Sequence, residues 1–561
     1  MNYKKYIAEK IEIDGFSASD IESFIEVPTD TAMADYALPC FRFSKALRKA
    51  PPMIALDLAS KISPDGVIKS VQAVNGYLNF FLNRVELAKN VVSEVLEKGE
   101  AYGSSNEGSG KTVCIDYSSI NVAKPFHIGH LSTTVIGGAL YRIFKFLGYN
   151  AVGINHLGDY GTQFGKLIYA YKNWGTKEAV EKGGIKELTR LYVDYHKNAE
   201  ENPALDDEAR RYFKLIEQGD KECNELFNWF KEMTIKEVDK IYKLLNVSFD
   251  SYAGESFYND KMQVVVDELK EKGLLEESQG AQIVNLEEYN MPPCIILRSD
   301  GASLYATRDI AAAIYRKNTY DFYKCLYVVA YQQDLHFKQF FKTLELMGKY
   351  WAKDLVHVSY GMVSLEDGAM STRHGKVVLL EDVIKVCIEK ALKVIEDKNP
   401  TLENKQLIAQ QVGTGAVIFG ALSNNKIKDI VFSYDKVLSF EGETGPYVQY
   451  TVARCNSVLA KAQGESFDFG NIEVETAEYD LASKIGNFYE VVKSASEKYE
   501  PSFITRYAID LAKLFNKFYL ECKILTETGD RKAFRLALCK ATQITLKNAL
   551  SLLGIQSPER M

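Results

Sequence analysis

The sequence has no run of about 18 apolar residues, the length that a membrane-spanning helix needs. Its longest apolar candidate, residues 412–422, is interrupted by glycine, so we expect no contact with a membrane interior. Near the N-terminus, Glu9, Glu12 and Asp14 stand where the apolar core of a signal peptide would lie. We therefore expect no export signal.

Cysteines are few and scattered: the 561 residues include nine, and no two of them form a CxxC pattern. An odd number without paired spacing is not a disulfide framework, and it favours the reduced cytoplasm. The HExxH pattern of zinc hydrolases is also absent. We predict no metal ion held by the protein.

No charge of one sign dominates, because 68 Lys and Arg residues face 75 Asp and Glu residues, a formal net charge of −7. This balance argues mildly against a nucleic-acid partner, although local fields rather than the total charge steer polyanions. The content of 46% hydrophobic and 25% charged residues is typical of a globular protein.

The hydrophobic patterns predict three domains. Residues 1–105 form a small α+β domain, which a Gly/Ser/Asn linker at 103–110 separates from the next. Residues 106–390 form an α/β domain, and residues 391–561 form an α-helical bundle.

The second domain begins with a βαβ pattern. A strand at 111–119, a helix-length segment at 127–147 and a strand at 150–158 predict a Rossmann-type parallel sheet. A charged helical insertion near 165–290 then interrupts the sheet. We expect the sheet to resume with three further strands, at 293–299, 325–331 and 355–363.

The densest chemical signal is SSINVAKPFHIGHL at 118–131, directly after the first strand of this sheet. Ligands of open α/β sheets bind at the carboxyl ends of the strands. His127 and His130 stand at a helix start, where backbone N–H groups favour phosphate oxygens, and Gly129 leaves room for a planar base. Taken alone, the pattern also permits a metal pair or two incidental surface histidines.

Residues 127–130 spell HIGH, the first signature of the class I aminoacyl-tRNA synthetases, which this sequence resembles. Further blocks, from about residue 70 onward and in the same order, are similar to the arginyl-tRNA synthetases: HLGDYGTQFG at 156–165, SDGASLYATRDIAAA at 299–313, AYQQDLHF at 330–337, GMVSLEDGAMSTRHGKV at 361–377 and EGETGPYVQYTVAR at 441–454. The resemblance implies a monomeric enzyme that uses ATP with Mg²⁺, L-arginine and tRNA(Arg).

In that reaction the substrate carboxylate attacks the α-phosphorus of ATP, so the enzyme supplies position and charge rather than a nucleophile. The family's second signature, KMSKS, corresponds to residues 369–373, where Ala369 and Thr372 replace both lysines. The resemblance implies that Lys124 takes over, with help from Arg373 and Lys376. The implied catalytic residues are Lys124, His127 and His130, and the implied ATP-binding residues are His127, Gly129, His130, Met370, Ser371, Thr372, Arg373 and Lys376.

A guanidinium group presents a planar fork of donors, so its pocket should offer a carboxylate. Asp309 lies one turn from Tyr305 if the segment is helical, although an aspartate there could equally be a helix cap or part of a surface ion pair. The resemblance implies these arginine-binding residues: Asp116, Ser119, Asn121, His130, Glu255, Tyr305, Asp309 and Gln333.

Aromatic side chains beside a cation suit the recognition of single-stranded RNA. The resemblance implies tRNA contacts by Asn79 and Phe81 in the N-terminal domain, and by Tyr447, Gln449, Tyr450 and Arg454 near the bundle. Tyrosines of a helical bundle are more often core residues, and Asn79 and Phe81 could lie at a buried strand end.

Three other functions remain open at this stage. A small-molecule nucleotidylyltransferase shares the HxGH chemistry but needs no helical tail of this length. A catalytically silent tRNA-binding paralogue would be expected to lose HIGH or the arginine-site residues, which are intact here. Another class I synthetase would be expected to carry zinc ligands or a large β-rich insertion.

Overall fold

The computed structural model describes residues 3–28, 33–122, 124, 126–299, 305–365 and 378–561. Its strands are β1 Tyr36–Pro39, β2 Ile68–Val74, β3 Tyr77–Leu82, β4 Thr112–Asp116, β5 Asn150–Ile154, β6 Glu276–Ser278, β7 Ala281–Val284, β8 Cys294–Leu297, β9 Lys324–Ala330, β10 Leu355–Tyr360, β11 Val363–Leu365 and β12 Ile430–Phe432. Its helices are α1 Tyr3–Ala8, α2 Ala18–Phe24, α3 Ser44–Leu47, α4 Pro51–Lys61, α5 Arg84–Lys98, α6 Leu131–Phe146, α7 Thr162–Trp174, α8 Lys177–Gly183, α9 Ile185–Glu201, α10 Leu205–Glu217, α11 Lys221–Leu244, α12 Met262–Glu271, α13 Tyr305–Tyr320, α14 Asp334–Leu346, α15 Leu380–Lys398, α16 Lys405–Leu422, α17 Tyr434–Val437, α18 Gly445–Lys461, α19 Thr476–Gly486, α20 Phe488–Glu497, α21 Ser502–Glu521 and α22 Gly529–Leu553.

These elements form two compact units. The first unit comprises the described residues of Met1–Gly103, Thr451–Tyr489 and Asp510–Asn548. The second unit comprises those of Ser104–Tyr450, Glu490–Ile509 and Ala549–Met561. The first unit therefore combines the N-terminal stretch with two stretches of C-terminal helix.

The first unit contains an antiparallel sheet of order β1-β3-β2. Because side chains alternate along a strand, Leu78, Phe80 and Leu82 of β3 all point to one face, and all three are buried. The buried Asp35 carboxylate accepts hydrogen bonds from Leu82 N–H at 2.7 Å and from the Tyr479 hydroxyl at 2.5 Å. The N-terminal part of the chain is thus α+β, as predicted.

The second unit is built on a parallel sheet of order β10-β9-β4-β5. Helix α6 lies between β4 and β5 in the chain, and α14 lies between β9 and β10. The chain therefore leaves the two central strands, β4 and β9, towards opposite edges of the sheet. Such a switch point opens a crevice at the carboxyl ends of the strands, where ligands of Rossmann-type sheets bind. The predicted Rossmann-type fold is confirmed.

Two expectations about the interruption of this sheet are wrong in detail. The strand expected at 293–299 is β8, and it joins a separate antiparallel sheet of order β6-β7-β8 rather than the parallel sheet. The insertion predicted near 165–290 is helical from α7 to α12 but also contains β6 and β7. Strand β6 is fully exposed and polar, so it has no hydrophobic alternation to reveal it.

The C-terminal part of the chain is helical, from α15 to α22, with the short strand β12 between helices. Helix α21 has an apolar face that is buried at Leu511, Phe515 and Phe518. The helix ends at Glu521, and Leu525 beyond it is 37% exposed.

All nine cysteines are unpaired and buried. In the parts of the chain that the structure describes, no helix has both the length and the apolar character needed to cross a membrane.

Candidate active site

The two histidines of the HIGH sequence lie at the start of α6, directly after β4. Residues Ile128–His130 form a 3-10 turn in which Gly129 N–H donates to His127 Nδ1 at 3.1 Å. His127 N–H in turn donates to His130 Nδ1 at 3.3 Å. An Nδ1 that accepts a hydrogen bond carries no proton, so each neutral ring has its N–H at Nε2. Both rings can therefore donate to an anion.

Burial and neighbouring charge keep this pair neutral. Burial lowers the pKa of His130 to about 3, and the nearby His127 contributes to the shift. Burial and then the charge of Lys124 lower the pKa of His127. Burial also lowers the pKa of Lys124. Two uncharged N–H donors beside a lysine suit the binding of phosphate oxygens without a change of protonation.

The turn is tied to the chain segment that follows residue 377. Ile128 N–H donates to the Val378 carbonyl at 3.1 Å, and Leu380 N–H donates to the Phe126 carbonyl at 2.9 Å. The residues predicted here as the second signature lie outside the described residues: Ala369, Met370, Ser371, Thr372, Arg373 and Lys376.

Asp116, at the end of β4, forms an ion pair with Arg316. Its Oδ2 accepts from Arg316 Nη2 at 2.7 Å, its Oδ1 accepts from Ser119 Oγ at 2.7 Å, and 5% of the residue is exposed. Burial opposes the charge of Arg316, but the Asp116 carboxylate outweighs it and the pKa of Arg316 lies well above its usual value. Each Asp116 oxygen thus already accepts one hydrogen bond, and the contact of Asp116 with arginine stays a prediction. Asp116 also holds the turn at Ser118 and Ser119, where φ is +68° and +46°.

Asp309 lies on the first turns of α13, one turn after Tyr305 as predicted. His336 Nε2 lies 2.6 Å from Asp309 Oδ2, and His156 Nε2 lies 4.0 Å from Asp309 Oδ1. Burial raises the pKa of Asp309, but the hydrogen bond to His336, together with the charges of His336 and Arg316, outweighs it, so the pKa lies below its usual value. The Asp309 carboxylate is therefore charged near neutral pH.

Glu255 is the second acid at this place. Burial raises its pKa to about 7, and Asp309 and Asp159 add to the rise, whereas Arg308 opposes it. Arg308 Nη1 lies 3.5 Å from Glu255 Oε2. The charge of Asp309 makes ionisation of Glu255 less favourable unless a further cation joins the two acids. The arrangement fits a cationic ligand.

The remaining predicted arginine contacts lie around the same strand ends. Gln333 is exposed immediately before α14, and Tyr305 is exposed at the start of α13. Asn121 is exposed and its backbone forms a parallel bridge with Gly158. A Cβ at Gly158 would lie 2.3 Å from Asn121 Oδ1 and 3.3 Å from Asn121 Cα, so glycine allows the Asn121 side chain to keep this position. The close packing fixes the loop after β4 against the loop after β5.

The predicted tRNA contacts differ in exposure. Asn79 and Phe81 are half-buried on the face of β3 opposite its buried side chains, so neither is a buried strand end. Tyr447 is half-buried and Tyr450 is 39% exposed. Arg454 is half-buried, donates to the Asn516 side chain and lies over the Tyr519 ring at 5.2 Å.

Gln449, unlike the other predicted tRNA contacts, is fully buried. The prediction that it contacts tRNA is therefore wrong. Gln449 Nε2 donates to the carbonyls of Gln411 at 3.0 Å and Gln556 at 2.7 Å. It is a structural residue that ties α18 to α16 and to the segment after α22.

Sequence reasoning did not single out three residues of the site: His156, His336 and Arg316. His336 had a usable signal, because it follows Gln333 by three residues and therefore lies on the same side of the helix start. Arg316 had none, since its partner Asp116 is 200 residues away in the chain.

Comparisons with known families match three parts of the chain. Residues 91–434 match the family described as tRNA synthetases class I (R), catalytic domain; residues 448–561 match the DALR anticodon binding domain; and residues 1–82 match the arginyl tRNA synthetase N terminal domain.

Relatives match over the full chain. The arginine–tRNA ligase of Alkaliphilus metalliredigens is 54% identical over 564 residues, with 100% of both chains covered. That of Clostridioides difficile is 54% identical over 555 residues, with 98% of each covered. The solved structure of Thermus thermophilus arginyl-tRNA synthetase matches with a TM-score of 0.83 and 25% identity over 96% of each chain. This chain therefore belongs to the class I arginyl-tRNA synthetases.

Proposed function

We propose that Lys124, His127 and His130 bind the phosphates of ATP while Asp309 and Glu255 bind the guanidinium group of arginine. The reaction is that of the family: ATP-dependent ligation of L-arginine to tRNA(Arg) through an arginyl-adenylate, with release of AMP and pyrophosphate. The observation that carries the assignment of residues has two parts: a neutral, N–H-donating histidine pair follows β4, and Asp309 contacts His336, which follows β9. Strands β4 and β9 are the two that flank the switch point of the sheet.

The first step forms a bond between a carboxylate oxygen of arginine and the α-phosphorus of ATP, and it breaks the bond from that phosphorus to the pyrophosphate oxygen. Negative charge shifts towards the phosphate oxygens during the step. The Nε2–H groups of His127 and His130 stabilise that charge, and the Lys124 ammonium does so where pyrophosphate leaves. ATP enters as its magnesium complex, which belongs to the substrate.

In the second step, a hydroxyl of the terminal ribose of tRNA attacks the carbonyl carbon of the adenylate. The new ester bond carries arginine on tRNA, and AMP leaves with the electrons of the broken carbon–oxygen bond. The hydroxyl proton passes to the departing phosphate or to water. No nucleophilic side chain of the protein is needed in either step.

Charge complementarity supports the arginine pocket. Asp309 is charged near neutral pH and Glu255 is ready to become so when a cation arrives. A planar guanidinium presents a rigid fork of donors that can satisfy both acids at once, whereas the ammonium group of lysine is a compact point charge without this geometry. Tyr305 borders this pocket. We assign the α-amino and carboxylate groups of arginine to these residues: the backbone at Ser119, Asn121, His130 and Gln333.

The second signature completes the ATP site in this proposal. Gly129 leaves space for adenine, and Met370, Ser371, Thr372, Arg373 and Lys376 bind the phosphates. The backbone pairing of Val378 and Leu380 with the HIGH turn supports this assignment, because these residues follow the signature directly.

For tRNA we propose two surfaces. Asn79 and Phe81 on β3 contact the elbow of the tRNA. Single-stranded nucleotides stack on Tyr447 and Tyr450 of α18 and pair with the charge of Arg454. The corresponding domains are residues 1–105, 106–390 with the insertion near 165–290, and 391–561. We further propose that the enzyme works as a monomer in the cytoplasm.

The test of the function is charging of total tRNA with each of the twenty amino acids in parallel, with ATP and magnesium. We expect arginine alone to be attached, and to one class of tRNA. Adenylate formation without transfer to any tRNA would indicate a nucleotidylyltransferase, and tRNA binding without charging would indicate a silent paralogue.

A further inference from the structure

His336 is in direct contact with the acid that we assign to arginine recognition. Its Nε2 lies 2.6 Å from Asp309 Oδ2. A carboxylate can only accept, so the imidazole donates this hydrogen bond from Nε2. A charge-assisted hydrogen bond of this length is among the stronger polar contacts in proteins.

The imidazole is held in place from its other sides. The ring packs against Phe337 and Phe340, with centroids 5.5 and 5.4 Å away. The helix start that carries it is anchored as well, because Asp334 Oδ1 accepts from Ser359 Oγ at 2.9 Å. His336 therefore approaches Asp309 from a fixed position.

The other oxygen of Asp309 faces a different environment. His156 Nδ1 lies 3.3 Å from the Ala253 carbonyl, which can only accept, so the Nδ1 of His156 carries the proton. Burial lowers the pKa of His156 and keeps the ring neutral, so its Nε2 is an acceptor. This Nε2 lies 4.0 Å from Asp309 Oδ1, and two acceptors so placed leave room for a donor from a ligand.

We propose that His336 is a positioning residue for arginine recognition: by donating to Asp309 Oδ2 it fixes the carboxylate so that Oδ1 is presented to the guanidinium group. This inference rests on the proposed role of Asp309. Four other titratable groups interact electrostatically with Asp309: His156, Arg316, Glu255 and Cys294. None of them donates a hydrogen bond to Asp309 Oδ2, so none replaces the contact made by His336.

The experiment compares two variants of the full-length enzyme in tRNA charging. His336→Leu removes the donor, and His336→Gln keeps an N–H at a similar distance from the backbone. We expect His336→Leu to raise the KM for arginine about 10-fold or more, with the KM for ATP unchanged and kcat affected less. The glutamine variant should stay within about threefold of the wild-type enzyme.

A charge-sensitive readout separates positioning from simple packing. Citrulline has nearly the shape of arginine but no charge, so we expect His336→Leu to reduce the preference for arginine over citrulline in competition. Equal losses for arginine, citrulline and ATP would indicate a general disturbance and would overturn the proposal. So would a glutamine variant as impaired as the leucine variant.

A double-mutant cycle links the inference to Asp309. If His336 acts through Asp309, His336→Leu should add little to the effect of Asp309→Asn. Additive effects would contradict the inference alone. An Asp309→Asn enzyme with unchanged arginine KM would instead contradict the proposed pocket itself, so the two failures are distinguishable.

Discussion

The imidazole rings of His127 and His130 lie against each other with centroids 3.9 Å apart, and a backbone hydrogen bond from the first residue reaches the ring of the second. Two protonated imidazoles at this distance would repel strongly. The arrangement is stable because both rings are neutral and the backbone sets their tautomer. The pair therefore acts as a fixed set of hydrogen-bond donors rather than as an acid or a base.

Replacing His130 by alanine should slow adenylate formation about 100- to 1000-fold, because one preorganised donor to the developing phosphate charge is lost. The tRNA dissociation constant should remain nearly unchanged, since the proposed tRNA contacts are elsewhere. Rapid-quench kinetics and filter binding measure the two quantities. A parallel loss of both would refute the separation of chemistry from tRNA binding.

The pH dependence of the same step follows from the low pKa of His130. Its pKa is lowered to about 3, so the ring loses its neutral form only in strong acid. Between about pH 5 and 8, the rate of adenylate formation should therefore depend on pH in the same way in the wild-type and the His130→Asn enzymes. A step near pH 6.5 that disappears in the variant would show that the ring works in its charged form.

Arginine binding should release protons from Glu255. The pKa of Glu255 is raised to about 7 without ligand, so about half of the side chains are protonated at that pH. The guanidinium group binds the charged form, and arginine affinity should therefore rise with pH through 7 and level off above about 8.

Calorimetry of arginine binding in buffers of different ionisation enthalpy measures this release directly. The Glu255→Gln enzyme is the matched control and should bind arginine more weakly, without release of protons. An identical binding enthalpy in all buffers for the wild-type enzyme would mean that Glu255 does not face the ligand.

Removal of the Asp116 charge should destabilise the fold around the parallel sheet. Asp116→Asn leaves Arg316 buried without its counter-charge, and breaking such a pair typically lowers the free energy of unfolding by about 3–5 kcal/mol. Ser119→Gly removes only the hydroxyl contact and suits the positive φ at this position, so it should cost about 1 kcal/mol. Urea unfolding measures the free energy of unfolding of both variants. Equal values would show that the Asp116–Arg316 ion pair is not the main source of stability at this turn.

Gln449 and Tyr450 should separate stability from tRNA binding. Gln449→Leu removes the two hydrogen bonds that its buried amide donates to the carbonyls of Gln411 and Gln556, and it should lower the free energy of unfolding by about 2 kcal/mol. Tyr450→Ala removes an exposed ring and should weaken tRNA binding with little effect on stability. If the Gln449→Leu enzyme is stable but binds tRNA more weakly, Gln449 contacts tRNA after all.

The sequence predicted the site where its signal was local. The order of strand, HIGH turn and helix predicted the crevice, and the spacing of Tyr305 and Asp309 predicted their common helix. Helical spacing could also have excluded Gln449, since positions 447, 450 and 454 share one face of α18 and position 449 does not.

The features that the sequence did not predict depend on contacts between distant segments of the chain. The partners Arg316 for Asp116 and His336 for Asp309 are brought together by the order of strands in the sheet, which no local pattern encodes. The same holds for β8, whose short apolar run fits either sheet equally well.

In the proposed pocket, Asp309 supplies the charge that selects arginine. The most direct measurement is kcat/KM for arginine in tRNA charging by Asp309→Asn, with ATP and tRNA saturating and the wild-type enzyme beside it. A buried cation that loses its counter-charge costs several kcal/mol, so we expect a fall of about 100-fold or more, with kcat/KM for ATP little changed. An unchanged kcat/KM for arginine would show that Asp309 does not bind the guanidinium group and would contradict the proposed pocket.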